Sequence, residues 1–153
     1  MIPFMLNKHF LDFLKLLEEK EVRYLLVGGY AVGFHGFPRY TGDLDIYVAV
    51  GEENSSGIIE VFSAFGFSDL GLKQSDFLEE DIVVEIGREP LKIQILTGID
   101  GVRFEDCYHK KTFLETEGTR IPVIGFDDLL KNKEASPRGK DKIDLEELRK
   151  LKK

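Results

Sequence analysis

The sequence predicts a mixed α+β domain with helices packed on one sheet. Three observations predict it. Apolar or alternating runs of strand length recur at 24–27, 44–50, 82–86 and 91–96. Segments with apolar residues at helical spacing lie between and after them. Glycine- and proline-bearing turn signals separate the two kinds, with no internal repeat, low-complexity tract or linker. At 153 residues the chain is expected to form one domain over 1–153, with a short helical part at about 125–153.

In chain order, Asn7 is placed to cap a helix whose apolar residues are Phe10, Leu11, Phe13, Leu14, Leu16 and Leu17. Lys20 and Glu21 end it. The fully apolar run 24–27 suits a buried strand, which Gly28-Gly29 breaks before a short helix over 30–35. Gly36-Phe37-Pro38 forces a loop. Residues 44–50 alternate and are rich in branched side chains, so they form a second strand, with Leu44, Ile46, Val48 and Val50 toward a core. Gly51 ends it, and 58–65 reads as helix. The polar stretch 66–81 reads as loop with room for one strand. Runs 82–86 and 91–96 flank Gly87-Arg88-Glu89-Pro90 as a hairpin. A helical turn over 104–108 precedes a second hairpin, 112–116 and 120–123 around Glu117-Gly118. Helices over 127–133 and 142–151 close the chain, with Ser136-Pro137-Arg138-Gly139 between them.

Two of these junctions carry chemistry. A strand running into glycines and then a helix brings bare backbone N–H groups toward a ligand, and the helix start favours an anion. A side chain at Gly28 or Gly29 would take space that phosphates need. Asp43 and Asp45 stand two apart at the start of a strand, so alternation puts both carboxylates on one face. Held side by side they repel unless a cation sits between them, and hard divalent ions select such oxygen ligands. Either feature alone is commonplace, a turn or two solvated acids. Their conjunction, thirteen residues apart, points to a nucleoside triphosphate with a divalent metal.

The pattern Val27-Gly28-Gly29, a spacer, then Asp43-Leu44-Asp45-Ile46 resembles the nucleotidyltransferase superfamily with the DNA polymerase β-like fold. Residues 39–45, 95–105 and 122–141 look like the small stand-alone members, a group that includes minimal nucleotidyltransferases and relatives of toxin–antitoxin components. The resemblance implies a nucleotidyltransferase fold and transfer of a nucleoside monophosphate from an NTP to an acceptor hydroxyl. Mg²⁺ (or Mn²⁺) would sit on Asp43 and Asp45. The acceptor would be tRNA, a protein or a small molecule, and a cognate antitoxin is an implied partner. Family members place a third acid on a neighbouring strand, where this sequence has Gln94. A neutral amide is a weaker metal ligand and no base. Glu85, set opposite Gln94 by the hairpin at a Cβ separation of about 5 Å, is the carboxylate expected to complete the site. If it does not, the chain is a weakened nucleotide- or partner-binding member. Triphosphate charge needs cations. Arg39 before the acids, and Lys133, Arg138 and Lys140 in a segment similar to the family's C-terminal part, are the candidates.

Composition limits the alternatives. A net charge of −7 argues against a broad nucleic-acid surface, although 131–153 hold nine Lys/Arg against five Asp/Glu. One cysteine, Cys107, beside Glu105 and Asp106, excludes an internal disulfide and makes a poor nucleophile. A cytoplasmic location is expected. The start of the chain lacks the long apolar region of a signal peptide, and no segment has membrane-span length. His35 is expected to be structural.

Overall fold

The computed structural model describes residues 6–88 and 91–152; the start of the chain, Glu89 and Pro90 of the first hairpin turn, and Lys153 lie outside the described residues. Helix α1, Lys8–Glu19, starts where the Asn7 side chain accepts the His9 N–H at 2.8 Å. It buries Phe10, Leu11, Phe13, Leu14 and Leu17. Then come β1, Tyr24–Val27; α2, Gly28–Phe34; β2, Asp43–Val48; and α3, Glu52–Ala64. They are followed by β3, Val83–Arg88; β4, Leu91–Leu96; α4, Phe104–His109; β5, Thr112–Thr116; β6, Thr119–Val123; α5, Phe126–Ala135; and α6, Gly139–Leu151.

The six strands form one mixed sheet in the order β3-β4-β2-β1-β6-β5. Strand β2 runs antiparallel to β1 and parallel to β4, so it is held on both sides. Cross-strand partners share a face. Leu44, Ile46 and Val48 share one face with Tyr24 and Leu26, all completely buried. The helical layer nearby is aromatic: Phe13 of α1 meets Phe62 of α3 at 6.0 Å between ring centroids. On the opposite face, Tyr47 is buried edge-on against Phe104 of α4 at 5.1 Å. The same face of β2 carries Asp43 and Asp45.

Several expected boundaries move, each for a local reason. Strand β2 stops at Val48, and Val50 is exposed rather than facing the core. Helix α3 starts at Glu52 instead of residue 58. Its first turn is polar and invisible to apolar periodicity, but Glu52 and Glu53 complement the positive helix start. No strand forms over 66–81; two 3₁₀ turns, Ser68–Leu70 and Gln74–Phe77, occupy it. Phe77 anchors that segment, fully buried against Phe62 at 5.8 Å. Ser55 Oγ donates to the Gln74 carbonyl. The glycine pair opens α2 rather than preceding it. In the second hairpin Glu117 and Gly118 both take positive φ, +44° and +75°, which matches the twist of a two-residue turn. Helices α5 and α6 each extend beyond their apolar stretches. Among the described residues, no helix is long and apolar enough to cross a membrane.

Candidate active site

The site grows from the end of β1. Val27 pairs with Asp45 of β2, Asp45 pairs with Gln94 of β4, and Gln94 pairs with Glu85 of β3. One row across the sheet therefore reads Val27, Asp45, Gln94, Glu85, with all side chains on one face. Asp43 lies two residues before Asp45 on the same face and pairs with Lys92.

Gly28 has φ +69°, a left-handed conformation that suits glycine. A Cβ there would lie 2.1 Å from Asp45 Oδ2, and one on Gly29 would lie 2.6 Å from Thr41 Oγ1. These contacts give a steric reason for glycine at both positions. The space a side chain would take first belongs to the Asp45 carboxylate and to Thr41, so the glycines let the acid-bearing strand approach the turn.

Asp45 is the acid of the cleft whose pKa is pushed upward. Its Oδ1 is buried without a hydrogen-bond partner among the described residues. Burial first, and then the charge of Asp43, raise its pKa to about 6, against the opposing pull of Lys140, Lys133 and Arg138. Two adjacent carboxylates, one with an orphaned buried oxygen, fit a hard divalent cation that takes one or two carboxylates and completes its shell with water and phosphate. Among the described residues, no three His, Cys, Asp or Glu side chains group closely enough to hold an ion by themselves. Glu85 lies two strands from Asp45, across Gln94. It accepts a 2.6 Å hydrogen bond from Gln94 Nε2, pairs with Lys92 at 3.6 Å, and is half exposed.

A cleft of about 520 Å³ opens over the Val27, Asp45 and Gln94 part of this row. Gly28, Asp45 and Gln94 line one side; Asn132, Lys133, Ser136 and Arg138 line the other. The cations expected for phosphate differ in their freedom. Lys133 is only 3% exposed and bonds Asp141 at 2.7 Å and Asp144 at 3.1 Å. Arg39 makes a two-pronged contact with Asp144, both bonds 2.8 Å. Arg138 bonds Asp141 at 2.7 Å but keeps an exposed side chain. Lys140 is exposed and has no hydrogen bond or ion pair among the described residues. Burial acts to raise the Asp141 carboxyl, but hydrogen bonds from Arg138, Lys133 and Ser136 win and hold it well below the usual range. Three cations against two carboxylates leave this network positive, facing the acidic row. The less committed charges are Arg138, which lines the cleft, and Lys140, whose charge acts on Asp45, whereas Lys133 and Arg39 are committed to internal pairs.

Sequence reasoning missed Asp144, Ser136 and Asn132. Asp141 and Asp144 lie three apart on α6, which puts both on one helical side. That spacing beside Lys133 was the available signal. Asn132 donates to the Asp100 carbonyl at 2.9 Å and ties the loop after β4 to α5. His35 is structural: its Nε2 lies 2.7 Å from the Ile124 carbonyl, and burial lowers its pKa despite that bond. Cys107 is buried, and burial first, with Asp128 next, pushes its thiol up to about 12, so it offers no nucleophile.

No protein-family model matches the sequence, and no curated protein matches it either. Solved structures do match in shape. A Thermotoga maritima protein, TM1012, assigned as a nucleotidyltransferase, is 20% identical with a TM-score of 0.56, covering 96% of this chain and 94% of that one. The lincosamide antibiotic adenylyltransferase LnuA, solved with lincomycin bound, is 16% identical with a TM-score of 0.61, covering 96% and 98%. An antigenic nucleotidyltransferase-like protein from Paracoccidioides brasiliensis is 14% identical with a TM-score of 0.55, covering 92% and 73%. The sheet order, the helices around it and these three likenesses make the chain a protein of the nucleotidyltransferase fold.

Proposed function

We propose that the chain transfers a nucleoside monophosphate from an NTP to an acceptor hydroxyl. The observation that carries this is the Asp45 carboxylate, lodged against Gly28 beside Asp43, with one oxygen buried and unpartnered among the described residues. Asp43 and Asp45 would hold Mg²⁺, which when bound polarises the α-phosphate and stabilises the departing pyrophosphate. Arg138 and Lys140 would bind triphosphate oxygens, as the less committed cations. The acceptor oxygen forms a bond to the α-phosphorus while the bond from that phosphorus to the bridging oxygen of the pyrophosphate breaks. Gln94 cannot take the acceptor's proton. Glu85, bonded to Gln94, is the carboxylate assigned to receive it. The acceptor is a hydroxyl of a polynucleotide, a protein or a small molecule. The buried lone thiol supports a reducing, cytoplasmic setting.

The test is transfer of label from α-labelled NTPs, with pyrophosphate release measured in parallel. Asp43→Ala should fall to background. Equal background in wild type and variant, across all four NTPs and several acceptors, rejects the enzyme reading. A second reading rests on Gln94 itself. With a neutral amide where the resemblance implies an acid, the chain binds Mg·NTP but turns over poorly. Under that reading Gln94→Asp gains activity.

A further inference from the structure

The loop after β4 has two sides. Its first residues, Gly98 to Asp100, line the cleft, and its last, Gly101 to Arg103, line a second open pocket of about 490 Å³. Helix α5 is shared in the same way: Asn132 lines the cleft and Lys131 the pocket. The partition between them is closely packed at Gly101. Gly101 has φ +82°, and a Cβ there would lie 2.8 Å from both the Lys131 carbonyl oxygen and Ala135 Cβ. The second pocket thus adjoins the proposed transfer site across a wall one loop thick.

Its lining carries a small positive surplus, three Lys/Arg against two Asp, in a chain of net charge −7. Arg103, His109, Lys110 and Lys131 line it, with Asp106 and Asp128 as the acids. Asp128 is 3% exposed, and its Oδ1 serves two lysines, Lys110 at 3.1 Å and Lys131 at 4.0 Å. One carboxylate cannot neutralise both. Arg103 and His109 are exposed, with no hydrogen bond or ion pair among the described residues. Donors gathered around an open pocket, with charge left over, are what a phosphate oxygen selects.

We infer that this pocket seats a phosphate group of the acceptor while the acceptor hydroxyl reaches the cleft. The inference rests on the transfer reading above and gives its acceptor a chemical class: phosphate-bearing. Arg103 on the loop and Lys131 on α5 approach the pocket from two elements, which suits successive phosphates of a single strand as well as one anion, while Arg138 and Lys140 stay with the triphosphate.

Two probes distinguish the sources: a labelled ten-nucleotide single-stranded RNA followed by anisotropy across a salt series, and inorganic phosphate as competitor. Mg·ATP binding is measured separately by thermal shift. Arg103→Ala/His109→Ala breaks no ion pair and should leave the Mg·ATP shift unchanged. It should weaken RNA binding about tenfold and flatten the log–log salt slope by about 0.7 for each phosphate no longer neutralised. Lys131→Ala, away from the loop, should act in the same direction. Binding of inorganic phosphate in this pocket without the oligonucleotide upholds the phosphate seat and identifies a small phosphate monoester as its source. A wild type that binds neither probe, or variants that bind as it does, overturns the inference. Loss of the Mg·ATP shift in the wild type would instead strike the transfer reading.

Discussion

Replacing Asp45 by Asn should stabilise the protein when no metal is present. The carboxylate is ionised at neutral pH at a cost, since burial and Asp43 lift its pKa from 3.8 to about 6. The sign follows from which state holds the proton. Below 3.8 both folded and unfolded chains are protonated at this position, and there is no penalty. Between 3.8 and about 6 the unfolded chain releases the proton first, so stability falls as pH rises. Above about 6 the penalty is complete, of order 3 kcal/mol at most, and near pH 5 it is about half that. An Asn side chain has the same shape and no charge. For a chain of this length each kcal/mol moves Tm by roughly 2–4 °C. Asp45→Asn should therefore melt about 6–12 °C above wild type at pH 8 in EDTA, with the gap shrinking toward pH 4. Added Mg²⁺ with ATP should raise the wild type and leave the variant unmoved. Thermal melts over pH 4–8, with and without Mg·ATP, check both statements. A variant that melts lower at pH 8, or a gap that does not depend on pH, refutes the argument that Asp45 is held charged against its surroundings.

Gly28→Ala should lose about 1–3 kcal/mol in urea denaturation, because φ is +69° and the new Cβ would lie 2.1 Å from Asp45 Oδ2. Transfer activity should fall further than stability does, since the acid itself is displaced. Asp144→Ala leaves Lys133 with one of its two carboxylates and Arg39 without its two-pronged partner. A cost of about 3–5 kcal/mol is expected by chemical denaturation, and a drop under about 1 kcal/mol would show that the pair contributes little.

The parts of this fold legible in the sequence were those written in period and turn chemistry. The stripe of α1, the apolar β1 and the Glu117-Gly118 turn each follow from local rules. Asp43 and Asp45 share a face because a strand leaves no choice, and the opposition of Glu85 and Gln94 follows from the hairpin register. What stayed hidden depends on distant partners. The polar first turn of α3 has no apolar period to reveal it. Phe77 fixes a 3₁₀ turn only because Phe62 is waiting for it. Lys133 looks like a surface lysine until α6 folds back and supplies Asp141 and Asp144. The glycine turn was legible, but what it accommodates was not: that the nearest neighbour of Gly28 is the Asp45 carboxylate depends on β1 and β2 pairing in one register.

Strand β2 is clamped between two neighbours, whereas β3, which carries Glu85, is the outermost strand of the sheet. The two ends of the row are therefore held differently, Asp45 by a neighbouring strand on each side and Glu85 by one alone. A change on β2 is felt by two neighbouring strands, whereas a change at an exposed position of the rim strand is felt by one. Sequence change is therefore expected to accumulate more freely at the rim of this sheet than on the strand that carries the paired acids.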